Sequence, residues 1–115
     1  MDDVYKLREY GKHSVVAFQT TTLVNAAEVD RLRADLIRLI EEEKRTLLVL
    51  DFRRVQFFSS QVLGVILTLN KRLAAVPGGR LTLCSVAPQL LELLRISRLD
   101  RILKVKPDRK EAIQD

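Results

Sequence analysis

The sequence contains no tryptophan, one histidine, one cysteine, one methionine, four glycines and three prolines in 115 residues, and aromatic residues make up only 5% of it. One cysteine cannot form an internal disulfide, and the setting of Cys84 in Leu81-Thr-Leu-Cys-Ser-Val reads as strand interior, where a thiol is inert. One histidine and one cysteine leave no ligand set for a soft metal, so no metal or cofactor is expected. His13 has no nucleophile near it in sequence and falls in a turn, which places it in solvent and not in a catalytic pair. Gly78-Gly79 leads into a strand and lacks a following Lys-Ser or Lys-Thr, so it is a turn and not a phosphate loop. These absences exclude the common enzymatic apparatus. No stretch approaches the ~20 apolar residues of a membrane span, and residues 1–19 carry Asp2, Asp3, Lys6, Arg8, Glu9 and Lys12 without an apolar signal core, so a cytoplasmic protein is expected.

What is present is a hydrophobic content of 47%, enough for the core of one domain spanning residues 1–115. The net charge of +5 is uneven: residues 1–57 hold 10 basic and 10 acidic side chains, and residues 58–115 hold 10 and 5. Arg95, Arg98, Arg101, Lys104, Lys106, Arg109 and Lys110 supply most of the excess, and without interleaved aromatics they read as a solvated face and not as a nucleic-acid site. Glu41-Glu42-Glu43 closes an amphipathic helix and likewise faces water.

Val4 to Glu9 and Ser14 to Gln19 read as an antiparallel hairpin turning at Gly11-Lys12-His13. A polar Thr20-Thr21-Thr22 stretch leads to Asn25, which with Glu28 forms a capping box, and Val29, Leu32, Leu36 and Leu39 carry a helix to about Lys44. A strand at Thr46 to Phe52 is followed by a helix to about Val76, then a strand at Arg80 to Val86. A third helix starts at Pro88 and runs through Leu90, Leu91, Leu94 and Leu99. Ile102 to Val105 reads as a short edge strand and Pro107 to Ile113 as a last helix, with Gln114-Asp115 fraying. Alternation of strand and helix predicts an α/β fold: a small mixed sheet of about five strands with helices packed on it, the strand at Thr46 to Phe52 central.

The junction after that strand is the most informative stretch. Leu47 to Leu50 is a continuous apolar run, as in a strand covered on both faces, and Val62, Leu63, Val65, Ile66, Leu67 and Leu69 leave the next helix little room for a polar face. Such a helix is expected to be largely buried, Leu67 included. Ser59 and Ser60 stand at its start, where one hydroxyl should cap free backbone N–H groups and a phosphate would meet the positive end of the helix dipole. Asp51, Val55, Phe57, Ser60, Leu63, Gly64, Val65 and Leu67 match, without a gap, the Asp-Leu-Ser-x-Val-x-Phe-x-Asp-Ser-Ser-Gly-Leu-Gly-Val-x-Leu motif of the STAS domain. The chain thus resembles the anti-sigma factor antagonists. It departs from the motif at the switch: Ser59 replaces the Asp, Gln61 the second Ser and Val62 the Gly.

The resemblance implies a non-enzymatic signalling module that binds a partner kinase doubling as anti-sigma factor, with phosphorylation of the motif serine ending the contact. In stressosome relatives the modified residue directly follows the motif Asp, which makes Ser60 the first phosphorylation candidate and Ser59 the second. The loop before the first helix contributes to docking in the family, so Thr21 and Thr22, with Arg53, Arg54 and Gln61, are the implied partner-binding residues. Gln61 and the missing Asp support an alternative, a phosphorylation-independent scaffold bound to other STAS subunits in a larger assembly. The basic excess alone supports a third, an adaptor for nucleic acid or membrane.

Overall fold

A computed structural model describes residues 4–114; Met1 to Asp3 and the expected fraying of Asp115 lie outside the described residues. The chain opens with the hairpin β1 (Tyr5–Tyr10) and β2 (His13–Phe18). Tyr10 pairs with His13, so the loop is only Gly11-Lys12, with Gly11 at φ +61° in the left-handed region that glycine adopts freely. That two-residue turn makes His13 the first residue of β2 and buries it to 6% exposure, correcting the expectation of a solvated histidine.

Next come β3 (Thr22–Leu23), α1 (Ala26–Glu41), β4 (Leu47–Asp51), β5 (Phe57–Phe58), α2 (Ser60–Ala74), β6 (Arg80–Cys84), α3 (Pro88–Ile96), β7 (Lys104–Lys106) and α4 (Arg109–Ala112). The main sheet has the order β1-β2-β4-β6-β7, antiparallel at the hairpin and parallel elsewhere, with β4 central as expected. Each parallel step is bridged by a helix, the connection that parallel strands require. Asn25 caps α1 by accepting from the Glu28 N–H at 3.0 Å. Lys44, expected as the last residue of α1, instead lies beyond its end at φ 56°. The third helix is also shorter than expected: Arg98 at φ 60° ends its course, and Leu99 sits in a separate 3-10 turn, Leu99–Arg101.

Period-two alternation sorts the sheet residues onto two faces. Val16, Phe18, Leu48, Leu50, Leu81 and Leu83 point into the main core with α1, α2 and α3, whereas Val15, Val49 and Cys84 form a small second core under Ala112 of α4. Among the described residues the back of the sheet is therefore covered only by the one-turn helix α4. Val62, Val65, Ile66, Leu69 and Leu73 are the buried stripe of α2. Leu67 lies outside that stripe at 36% exposure, so the apolar run does not wrap the helix in protein as its composition implied.

Candidate functional site

Leu50 and Phe52 are buried at the end of β4, and there the chain reverses: the Val55 N–H donates to the Phe52 carbonyl at 2.9 Å, leaving Arg53 and Arg54 on the exposed tip of the turn. Asp51 fixes that turn, its Oδ1 accepting from the Arg53 N–H at 3.0 Å. Beneath it, Phe52 packs between Phe18, tilted at 41° to it, and Phe58, edge-on at 61°, with ring centroids 4.9 and 5.7 Å away. Packing of three rings against a buried strand end gives the junction a rigid base.

The chain then forms a second, two-stranded sheet that single-residue patterns did not disclose. β3 and β5 run parallel, pairing Thr22 with Phe57 and Leu23 with Phe58. The Thr21 carbonyl accepts from the Gln56 N–H at 2.8 Å, and the Leu23 carbonyl accepts from the Ser59 N–H at 3.0 Å. These bonds draw the loop before α1 against the start of α2, so Thr21, Thr22, Ser59 and Ser60 share one end of the molecule. The Gln89 side chain at the start of α3 donates to the Gln56 carbonyl at 2.8 Å and ties a third element to the same place.

Ser59 occupies the N-cap of α2, yet its side chain makes no capping bond, and its Oγ is buried without a hydrogen-bond partner among the described residues. The expectation that one of the two serines caps by its hydroxyl is thus corrected: the Ser59 carbonyl, accepting from Val62 N–H at 3.0 Å, starts the helix by backbone alone. Ser60 is the first helical residue and is exposed, so its hydroxyl points where solvent or another protein reaches it. Gln61 is engaged: its Nε2 donates to Asp30 Oδ1 at 2.9 Å and to the Ala26 carbonyl at 3.5 Å, bolting α2 to α1. Arg54 Nη1 donates to Gln19 Oε1 at 3.3 Å, on the side of the turn facing the back of the sheet.

Two apolar side chains at this end are exposed, which was not read from the sequence although Phe57 belongs to the motif. Phe57 is 54% exposed and Val24 49% exposed, one within the β3–β5 sheet and the other directly after it. The signal was present for Phe57, since a strand that buries Phe58 must turn its neighbour outward; Val24 carried none. Cys84 is fully buried, and burial, reinforced by the charge of Asp51, pushes its thiol from 9.0 up to about 12, against the opposing effects of Ser85 and Arg109. Such a thiol is not a nucleophile at neutral pH. Among the described residues no helix is long and apolar enough to cross a membrane.

Comparison with known proteins agrees with this geometry. Residues 6–112 match the family model described as STAS domain. The Bordetella bronchiseptica protein named as the anti-sigma factor antagonist BtrV is 34% identical over 90 residues, covering 78% of this chain and 76% of that protein. The crystal structure of an anti-sigma factor antagonist from Thermotoga maritima superposes with a TM-score of 0.85 at 19% identity, over 96% of this chain and 92% of that one. The Bacillus cell-fate determinant SpoIIAA in its phosphorylated form gives a TM-score of 0.74 at 24% identity, over 95% and 96% of the two chains.

Proposed function

The chain belongs to the STAS domain family, and we propose that it is a non-enzymatic signalling module whose face around Ser60 docks on a protein partner and releases it when the serine carries a negative charge. The observation that carries this reading is the exposure of Ser60 at the first position of α2, flanked by the β3–β5 sheet and its outward Phe57. Phe57 and Val24 supply apolar contact area for docking, with Thr21, Thr22, Arg53 and Arg54 as a polar rim. A phosphate on Ser60 adds nearly two negative charges next to the unpaired N–H groups of the helix start, so the domain itself accommodates it. A partner packed over the same spot cannot hydrate that charge, and binding weakens. The partner in this reading is a serine kinase of the histidine-kinase-like ATPase type acting as anti-sigma factor; similarity to BtrV, named as an anti-sigma factor antagonist, supports an anti-sigma factor as the target.

The test compares Ser60→Asp and Ser60→Ala for melting temperature and for affinity toward such a kinase encoded beside this chain. Equal stability with Ser60→Asp binding at least tenfold more weakly is expected. One observation favours a second reading: Gln61, which stands in place of the second serine of the family motif, is a structural amide between two helices. If both Ser60 variants and their Ser59 counterparts bind as the parent does, a phosphorylation-independent subunit of a larger STAS assembly takes the place of the switch.

A further inference from the structure

On the back of the main sheet, a cleft of about 340 Å³ opens between β1, β2, the turn after β4 and α4, and is lined by Arg8, Arg53, Arg54 and Arg109, with Asp51 the only carboxylate among the described residues that line it. Among the described residues none of these four arginines has a carboxylate within ion-pair distance, whereas Arg38, Arg45, Arg72 and Arg95 each have one. Four guanidinium groups from three separate stretches of chain converge on the cleft, none of them in an ion pair among the described residues. Two are already oriented. Arg109 lies 4.6 Å above the Tyr10 ring and donates from Nη1 to Tyr10 Oη at 2.7 Å, and Arg54 donates to Gln19. Asp51 brings one negative charge against four positive ones, and one of its oxygens also accepts from the Arg53 N–H, so the described lining keeps a positive excess.

We infer that this cleft binds a compact polyphosphate anion. Planar guanidinium forks match phosphoryl oxygens two by two, and orienting them beforehand lowers the entropy lost on binding. The cleft sits at the small end of the ~300–1,000 Å³ typical of small-molecule sites, which suits a di- or triphosphate group. It offers no open aromatic face for a base: the Tyr10 ring is covered by Arg109, and Phe18 is 3% exposed. Recognition therefore runs through the phosphoryl groups and not through a nucleobase. This goes beyond the docking role, because Arg8 and Arg109 lie outside the face around Ser60.

Titration of the full chain with sodium pyrophosphate, followed by calorimetry and by arginine Nε–Hε resonances, tests it. Saturable one-to-one binding is expected, weakened about tenfold in Arg8→Gln and again in Arg109→Gln, and unchanged in Arg33→Gln on α1. Arg8 is an exposed side chain of β1, so its variant keeps the test decisive even if loss of the Tyr10 stacking loosens α4 in Arg109→Gln. Citrate should bind at least tenfold more weakly than pyrophosphate. Silence at millimolar pyrophosphate, unaltered affinity in Arg8→Gln, equal affinity for citrate, or binding confined to single-stranded RNA would each overturn the assignment.

Discussion

Asn25 and Ser59 hold the same formal position at the starts of α1 and α2 but do different work. Asn25 accepts from the Glu28 N–H at 3.0 Å, whereas the Ser59 hydroxyl is buried and makes no bond. Asn25→Ala should cost ~1 kcal/mol in chemical denaturation, the usual worth of a working cap, and Ser59→Ala should change stability by less than about half of that. Equal losses would show that Ser59 caps after all. Cys84 gives a second contrast between identity and setting. A free thiol would react with a disulfide reagent within minutes; this one, fully buried and protonated up to about pH 12, should react at pH 8 only as fast as the protein opens. Labelling that is rapid under native conditions would place the thiol elsewhere.

Within α2, composition and placement diverge. Leu67 and Leu69 are the same residue two positions apart, yet Leu69 is fully buried and Leu67 is 36% exposed, because a helix turns 100° per residue and only one stripe meets the sheet. Leu69→Ala should therefore cost ~2–5 kcal/mol and Leu67→Ala about 1 kcal/mol, measured by urea unfolding. The exit from α2 is constrained by space: a Cβ on Gly79 would sit 2.1 Å from the Leu73 carbonyl oxygen, so the backbones approach too closely for any side chain. Gly79→Ala should destabilise by at least ~1–3 kcal/mol, the range for overpacking, while Lys71→Ala on the exposed side of the same helix should stay within about 0.5 kcal/mol.

For the molecule as a whole, the raised thiol makes a stability prediction with a definite sign. Below pH 9 the Cys84 thiol is protonated in both folded and unfolded chains and contributes nothing to pH dependence; between 9 and about 12 the unfolded chain loses the proton first, so folding weakens as pH rises. Cys84→Val, which keeps an apolar side chain among Val15 and Val49, should show a shallower alkaline decline by up to ~1.4 kcal/mol per pH unit. Parallel declines would remove the thiol from the account. The order of strands and helices, the central place of β4, the Asn25 cap and the serine junction were all legible in the chain, because apolar periodicity, capping residues and Gly-Pro punctuation act over a few neighbouring residues. The motif of residues 51–67 carried the family as well. What stayed out of reach depended on partners distant in sequence. The pairing of Thr22 with Phe57 joins two strands too short to have a period, and it alone brings the Thr21–Thr22 loop to Ser60. The burial of His13 was set by register in a hairpin, and the exposure of Leu67 by which stripe of α2 meets the sheet; the Ser59 hydroxyl is buried without a partner among the described residues. Arg8, Arg53, Arg54 and Arg109 are scattered over the chain and share a cleft only because β1, β4 and α4 meet behind the sheet. Sequence fixes what each segment is; closure of the sheet decides which segments face each other, since contact is a property of pairs that no single stretch contains.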